Sequence, residues 1–165
     1  MNKFEKITYG QFAKDFAKDI DTGIISYDDI KLPKRATQYS AGYDFYMPYT
    51  IMLAPGASIK FPTGIRAILD HDKFLAIVPR SGLGFKYRLQ LDNTIGIIDA
   101  DYCNAENTGH IWAKITNDGR EGKVLTLEKG SAFAQGIILP YCLVDGDDTT
   151  SIRVGGLGST SASET

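Results

Sequence analysis

The chain has 165 residues, of which 43% are hydrophobic and 23% are charged, as in a soluble globular protein with a real core. Its formal net charge of −2 provides no overall field toward nucleic acid or an anionic membrane surface, so an anionic ligand would need local donors. No apolar run approaches the roughly 18 residues of a membrane-spanning helix. The N-terminus also lacks the apolar core of a signal peptide. We expect no nucleic-acid partner and no membrane partner.

The cysteine and histidine content points away from disulfides and zinc. The chain has two cysteines, Cys103 and Cys142, and two histidines, His71 and His110. Two cysteines do not make a disulfide framework, which favours a reduced, cytoplasmic setting. The wide spacing of these four residues predicts no zinc site.

The N-terminal part predicts a strand followed by a helix. Residues 3–7 suit a strand, and Thr8 with Gln11 resembles a helix-capping box. Apolar residues then recur at helical spacing over residues 9–20, namely Tyr9, Phe12, Ala13, Phe16 and Ile20. We expect this apolar stripe to pack on the body of the protein. Binding of a protein partner is the alternative.

From Leu32 onward the pattern predicts strands. Short apolar runs alternate with Gly, Pro, Asp and Asn, and the predicted strands are 51–53, 58–61, 65–69, 73–78, 88–91, 95–98, 110–116, 123–127 and 132–144. Ile111, Ala113 and Ile115 should share one face. Many short strands separated by turns predict an all-β sandwich or barrel in one domain. The end, from Gly155 to Thr165, is too poor in apolar residues to bury itself, so we expect it to be mobile until a ligand binds.

Pro79-Arg80-Ser81-Gly82-Leu83 carries the parts of a phosphate site. We expect a turn here that presents a guanidinium, a hydroxyl and an accessible backbone amide after an apolar strand. Arginine makes paired charge-assisted hydrogen bonds, and glycine allows close approach of the backbone. The alternative is a structural turn with Arg80 in a salt bridge.

Residues 96–102 read Gly-Ile-Ile-Asp-Ala-Asp-Tyr. An apolar strand that runs into carboxylates and a ring holds a base and a flat surface at a fixed separation. Asp99 and Tyr102 are therefore candidate site residues. For Asp101 a structural, turn-stabilising role is expected.

Three more short motifs complete an ordered set: Ala41-Gly42-Tyr43-Asp44, Gly130-Ser131-Ala132-Phe133-Ala134-Gln135 and Gly155-Gly156-Leu157-Gly158-Ser159-Thr160. The five motifs in this order resemble those of the trimeric deoxyuridine triphosphatases (dUTPases). The resemblance covers roughly residues 32–160. It implies a jelly-roll-type β-barrel or sandwich with a short N-terminal helical extension. On this basis we divide the single domain into an extension (1–31), a β core (32–150) and a flexible C-terminal arm (151–165).

The resemblance implies Mg²⁺-dependent hydrolysis of dUTP to dUMP and diphosphate by a homotrimer with shared active sites, in a bacterial or phage-infected cell. Asp99 would activate the attacking water, and Tyr102 would pack under the deoxyribose and exclude a 2′-hydroxyl. Asp44 would help to place Mg²⁺ through water, which suits an ion that keeps most of its waters. The other substrate-binding residues implied by the resemblance are Arg80, Ser81, Gly82, Asn93, Gly96, Ile97, Ile98, Gln135, Arg153, Leu157, Gly158, Ser159 and Thr160.

The chain departs from the family pattern in four places. Ala132 replaces an arginine, and Leu157 replaces a phenylalanine that would stack on uracil. Arg153 is one position out of its usual register. The third motif closes at Gly109, after an apparent five-residue insertion within 103–108. These departures motivate an alternative, a non-catalytic or dual-role regulatory protein that binds a partner through the N-terminal helix or the 103–108 loop.

A dCTP deaminase is the nearest enzymatic alternative, because it has a related fold and similar phosphate motifs. Such enzymes carry a catalytic glutamate five residues after the closing glycine of the third motif. Counted from Gly109, that position holds Lys114. The sequence therefore disfavours the deaminase.

Overall fold

A computed structural model describes residues 1–156, so the predictions for Leu157, Gly158, Ser159 and Thr160 fall outside the described part of the chain. The strands are β1 Lys3–Lys6, β2 Lys34–Arg35, β3 Tyr43–Tyr46, β4 Ile51–Leu53, β5 Ser58–Pro62, β6 Ile65–Ile68, β7 Lys73–Pro79, β8 Leu89–Leu91, β9 Gly96–Ile98, β10 Trp112–Asn117, β11 Leu125–Leu127 and β12 Ala132–Pro140. The α-helices are α1 Tyr9–Asp15, α2 Ala17–Asp21 and α3 Ser81–Tyr87, with 3-10 turns at Tyr27–Asp29 and Ala100–Asn104.

The strands form antiparallel sheets whose neighbours are distant in sequence. The largest sheet has the order β2-β3-β12-β7-β9, and a second has the order β5-β10-β8. The pairs β1-β6 and β4-β11 complete the set. Non-consecutive antiparallel neighbours are typical of jelly-roll-type folds, and the predicted all-β class is confirmed.

The core lies between the two larger sheets. Phe61 of β5 and Phe133 of β12 are buried and meet edge to face, with ring centroids 5.1 Å apart. Ile111, Ala113 and Ile115 are also buried, whereas alternate residues of β10 face outward. The predicted alternation along this strand is confirmed.

The N-terminal extension packs on the body. Phe12 and Phe16 are buried with ring centroids 4.7 Å apart, so packing on the body is confirmed for the centre of the predicted stripe. The single helix over 9–20 is wrong, because the chain leaves helical geometry at Phe16 (φ −106°, ψ 16°) and α2 begins after it.

Of the two hydrogen bonds in the predicted capping box, the one to the Thr8 hydroxyl forms. The Thr8 hydroxyl accepts a hydrogen bond from the Gln11 amide at 3.3 Å, as expected. The Gln11 side chain donates to Asp15 Oδ2 at 2.7 Å. It therefore braces the last residue of α1.

A second contact holds the end of the extension to the turn between β11 and β12. Lys129 Nζ donates to Asp29 Oδ2 at 2.8 Å and to the Ile24 carbonyl at 3.1 Å. The Lys129 ammonium lowers the pKa of Asp29 to about 2, with help from the Ser26 amide. The extension is thus fixed beside the motif that begins at Gly130.

The predicted strands agree with the observed ones in the β core, with three exceptions. The expected turn after Pro79 is wrong, because the chain enters α3 at Ser81. Strand β12 ends at Pro140 rather than at 144, because its partner β7 begins at Lys73, opposite Pro140. Strands β2 and β3 were missing from the predicted set, although the second residue of β3 is Asp44.

Candidate active site

Three of the motifs meet on adjacent strands of the large sheet. Asp44 on β3 is directly opposite Gln135 on β12, and Gln135 is directly opposite Val78 on β7. Arg80 follows β7, and its Nε lies 3.3 Å from Asp44 Oδ1. We call Asp44, Arg80 and Gln135 the sheet cluster. The pairing of β3, β12 and β7 sets the geometry of this cluster. Arg80 makes the salt bridge that the alternative predicted, and it does so at the place where it would also contact a ligand.

A glycine lets Gln135 lie across the sheet cluster. The Gln135 Oε1 atom is 2.3 Å from the position that a Cβ of Gly42 would occupy. A side chain at position 42 would therefore displace the amide. The oxygen atoms of Asp44 and Gln135 are ligands of the kind that Mg²⁺ prefers.

The start of α3 borders an open groove beside the sheet cluster. The amides of Leu83 and Gly84 donate to the Arg80 carbonyl, which leaves the amides of Ser81 and Gly82 as the first-turn donors. A Cβ at Gly82 would meet open space beyond its own helix and chain neighbours. The groove has a volume of about 390 Å³, and Ala132 forms part of its wall. An arginine at position 132 would project from this wall.

The segment from β8 to β9 passes between sheets. Strand β8 pairs with β10, whereas β9 pairs with β7. The segment that carries the expected substrate-binding residues Asn93 and Gly96–Ile98 therefore connects the two larger sheets. Thr94 takes a left-handed conformation (φ 68°), and its amide donates to Leu91 O at 2.8 Å, which closes the turn.

A second cavity of about 390 Å³ lies under this connection. The predicted base-recognition residues line it, namely Asn93, Gly96, Ile97 and Ile98. Trp112 and Lys114 line its other side, and Lys114 Nζ lies 2.6 Å from Asp92 Oδ2. The mouth thus combines an apolar floor with amide, carboxylate and ammonium groups.

Asp99 and Tyr102 come from one short turn at the end of β9. Asp99 precedes the 3-10 turn, and its carbonyl accepts a hydrogen bond from the Tyr102 amide at 3.1 Å. About half of the Asp99 side chain is exposed, whereas Tyr102 is buried. We call residues 99–109 the tyrosine loop. It presents a carboxylate to solvent and fixes the ring beside it.

Arg153 binds both carboxylates of the tyrosine loop. Its Nη2 pairs with Asp99 Oδ2, and its Nε donates to Asp101 Oδ1 at 2.8 Å. Its guanidinium carbon lies 5.8 Å from the centre of the Tyr102 ring. Asp101 therefore holds the C-terminal segment in addition to lying in the turn.

The Tyr102 hydroxyl is held from two sides. It donates to the His110 carbonyl at 3.0 Å and accepts from Asn107 Nδ2 at 3.0 Å. Burial raises the pKa of Tyr102 above its ordinary value. The phenol is thus a neutral donor near neutral pH.

His110 anchors this arrangement to the N-terminal extension. Its Nδ1 lies 2.5 Å from Asp15 Oδ2, and its Nε2 accepts from the Gly64 amide at 2.8 Å. The Gly64 bond assigns the proton to Nδ1, so the ring is neutral. Burial lowers the pKa of His110, which agrees with that assignment.

The insertion in the tyrosine loop closes on itself. A Cβ at Gly109 would lie 2.6 Å from the Cys103 Cα and 3.1 Å from the Tyr102 carbonyl oxygen. The loop therefore leaves after Tyr102 and returns beside it, so the extra residues do not displace the turn. Asn107 and His110 were not among the predicted site residues. The signal available for Asn107 was its spacing from Gly109, because its Oδ1 accepts from the Gly109 amide at 3.2 Å.

The sheet cluster and Asp99 lie toward opposite ends of β7. Ile98, just before Asp99, pairs with Leu75, whereas Arg80 follows the last residue of the strand. The five residue steps from Leu75 to Arg80 span about 16 Å at roughly 3.3 Å per residue. One chain therefore does not bring the Asp99 carboxylate and the Arg80 guanidinium to the same reacting group.

Comparisons with known proteins agree with this arrangement. Residues 28–161 match the family model described as dUTPase. The chain belongs to the dUTPase family. A deoxyuridine 5′-triphosphate nucleotidohydrolase of Lactococcus lactis is 39% identical over 136 residues, which cover 81% of this chain and 89% of that protein.

Solved structures of dUTPases have a fold similar to that of this chain. The crystal structure of a dUTPase from Streptococcus mutans matches with a TM-score of 0.67 and 33% identity, over 87% of this chain and 99% of the other. A mutant dUTPase from phage phi11 of S. aureus, described with a structural Mg(II) ion, matches with a TM-score of 0.64 and 16% identity over 92% and 97% of the two chains. At that identity only the shared fold is informative.

Within residues 1–156, no helix is long and apolar enough to cross a membrane. Nor do three or more His, Cys, Asp or Glu side chains there form a group able to hold a metal ion. A cation at the sheet cluster would thus depend on ligand oxygens and water besides Asp44.

Proposed function

We propose that this chain hydrolyses dUTP to dUMP and diphosphate, which limits uracil incorporation into DNA and supplies dUMP for dTMP synthesis. Membership of the family and the names of relatives at 35–39% identity support this reaction. One structural observation carries the proposal: a half-exposed carboxylate, Asp99, and a buried ring, Tyr102, are presented by a single turn.

Asp99 is the general base. It orients a water molecule and takes one proton as the water oxygen forms a bond to the α-phosphorus. The bond from that phosphorus to the bridging oxygen breaks in line, and diphosphate leaves. Arg153 forms an ion pair with the Asp99 carboxylate in this structure. The guanidinium must therefore move before that carboxylate can bind the attacking water.

The sheet cluster and α3 bind the phosphates. Arg80 supplies a fixed positive charge, Ser81 a hydroxyl, Gly82 an open backbone amide and Gln135 a side-chain amide. Preorganised donors of this kind stabilise the charge that develops on phosphoryl oxygens.

Asp44 would hold Mg²⁺ through water, with oxygens of the triphosphate as further ligands. When bound, Mg²⁺ neutralises charge on the phosphates. The contact with Arg80 orients the Asp44 carboxylate.

The base and sugar bind on the other half of the site. Asn93 and the backbone of Gly96, Ile97 and Ile98 read uracil by hydrogen bonds in the cavity that they line. Such a site rejects other bases because mismatched polar groups are left unpaired. Tyr102 packs under the deoxyribose and leaves no room for a 2′-hydroxyl.

The protein acts as a homotrimer in the cytoplasm. The separation along β7 between Asp99 and Arg80 supports sites that combine residues of different subunits. The arm of residues 151–165 closes over the substrate, with Arg153, Leu157, Gly158, Ser159 and Thr160 as its ligand-facing residues. A protein partner at the N-terminal helix or the 103–108 loop stays a prediction.

The structure gives no support to a deaminase. Lys114 stands at the position expected for the catalytic glutamate, and its ammonium pairs with Asp92. An ammonium cannot serve as the general base that a deaminase needs there.

The test is diphosphate release by purified protein with Mg²⁺ and dUTP, with dCTP, dTTP and UTP in parallel. We expect rapid release from dUTP alone. Ammonia release from dCTP would support the deaminase, and release from no nucleotide would support a purely binding role.

A further inference from the structure

Asn107 connects the tyrosine loop to the ring that it surrounds. Its Nδ2 lies 3.0 Å from the Tyr102 hydroxyl and 3.1 Å from the His110 carbonyl oxygen. Its Oδ1 accepts a hydrogen bond from the Gly109 amide at 3.2 Å. The main-chain carbonyl of Asn107 accepts one from the His110 amide at 3.1 Å. Both polar groups of the Asn107 side chain are therefore hydrogen-bonded within residues 102–110.

The His110 carbonyl, which accepts the other hydrogen bond of the Tyr102 hydroxyl, is held rigidly. His110 is fully buried, and both of its ring nitrogens are engaged, by Asp15 and by the Gly64 amide. The carbonyl that receives the Tyr102 hydroxyl is thus fixed to the body of the protein. Asn107 is the component that the inserted loop adds.

The same loop contacts the base of the C-terminal arm. The Glu106 amide donates to the Val154 carbonyl at 3.2 Å. A Cβ at Gly156 would lie 3.5 Å from both the Asn107 side-chain carbonyl carbon and its Nδ2. The loop therefore holds the Tyr102 ring and the first residues of the arm together.

We propose that Asn107 is a positioning residue that sets the selectivity for deoxyribose over ribose by fixing the Tyr102 ring; the inference rests on the proposed function. Asn107 supplies the hydrogen bond that the Tyr102 hydroxyl accepts, so the ring is held by a donor and an acceptor at once. A ring held at one side only can tilt and admit a 2′-hydroxyl.

The experiment compares kcat/KM for dUTP and for UTP in the wild type, in Asn107→Ala and in Asn104→Ala. Asn104 is the matched control, because it lies in the same loop, is exposed, and has its side chain in contact with Cys103 rather than Tyr102. We expect Asn107→Ala to lower the dUTP-to-UTP ratio about fivefold, the effect of one ordinary hydrogen bond. Asn104→Ala should leave it unchanged.

The ratio separates positioning from simple loss of structure. A smaller folded fraction lowers kcat for both nucleotides equally and leaves the ratio unchanged. Equal ratios in the wild type and in Asn107→Ala would overturn the inference. If Asn107→Ala does not fold, Tyr102→Phe decides, because it keeps the ring and removes the hydroxyl. The ratio must then fall by a similar factor, and an unchanged ratio overturns the inference.

A double variant and a binding measurement complete the experiment. The double variant Tyr102→Phe/Asn107→Ala should show the ratio of Tyr102→Phe alone, because both changes remove the same contact; an additional drop contradicts the proposal. Calorimetric binding of dUDP and UDP gives the same selectivity without turnover. A wild type that prefers dUDP but releases no diphosphate refutes the proposed function alone, whereas an unchanged dUDP-to-UDP ratio in Asn107→Ala refutes this inference alone.

Discussion

The sheet cluster is held by backbone ladders, whereas the tyrosine loop is held by side chains. Asp44 and Gln135 face each other because β3 and β12 pair in a fixed register. Asp99 and Tyr102 instead depend on Arg153, Asn107 and the His110 carbonyl. We therefore expect the first region to keep its geometry when one contact is lost, and the second to change. Substitutions in the two regions should therefore differ in kind.

Asp99→Asn should have the largest effect. The amide cannot take the proton of the attacking water, so kcat should fall about 10³-fold, within the range for loss of a general base. Unfolding by urea should change little, because the side chain is half-exposed. Asp101→Asn is the matched control, with equal exposure and the same Arg153 partner. Equal losses of kcat in the two variants would contradict the assignment of the base.

Gly109→Ala tests how closely the tyrosine loop is closed. The residue has φ +76°, and a Cβ would meet the Cys103 backbone at 2.6 Å. Backbone strain and overpacking together should lower the free energy of unfolding by about 3 kcal/mol. Gly146→Ala has a similar φ of +82° but open space, so it should cost only about 1 kcal/mol. Equal urea midpoints would show that the closure is looser than described.

Arg80→Ala tests the sheet cluster. Loss of a charge-assisted contact with phosphate should lower kcat/KM for dUTP about 30-fold, the equivalent of about 2 kcal/mol. The fold should be retained, because the ladder between β3 and β12 does not involve Arg80. Arg88→Ala is the control at the other end of α3, where Arg88 pairs with Asp118 at 3.1 Å. A comparable loss of kcat/KM in Arg88→Ala would contradict a specific role for Arg80 in phosphate binding.

His110 should give the smallest effect, as a dependence of stability on pH. Burial lowers its folded-state pKa below the ordinary 6.5. Below about pH 6.5 the unfolded chain therefore binds a proton that the folded chain does not, and the free energy of unfolding falls by up to about 1.4 kcal/mol per pH unit. This contribution is complete above pH 6.5 and is lost on acidification.

Urea unfolding between about pH 7.5 and pH 5.5 measures this dependence. The slope should be smaller in His110→Gln than in the wild type. The exposed His71 offers the matched control, and His71→Gln should keep the wild-type slope. A wild-type slope in His110→Gln would mean that other groups cause the acid sensitivity.

The two regions also differ in how far the sequence predicts them. Short apolar runs between turn residues predicted β5 and β7, and alternation of apolar and polar residues predicted β10, where alternate residues are buried. Helix α3 was not predictable from propensity, because Gly82 and Gly84 both lie in its seven residues. The link from His110 to Asp15 spans 95 positions, so no local pattern reveals it. Nor does a local pattern place Asn107 on the Tyr102 hydroxyl.

In the proposed trimer, the sheet cluster of one subunit completes the site that contains Asp99 of another. Asp99→Asn and Arg80→Ala chains with different tags should be co-expressed, and particles that carry both tags isolated. Every mixed trimer then has one junction at which intact Asp99 meets intact Arg80, so the account predicts about one third of wild-type diphosphate release. Activity no higher than that of the two parent variants would show that each chain forms its site alone, and would contradict the account.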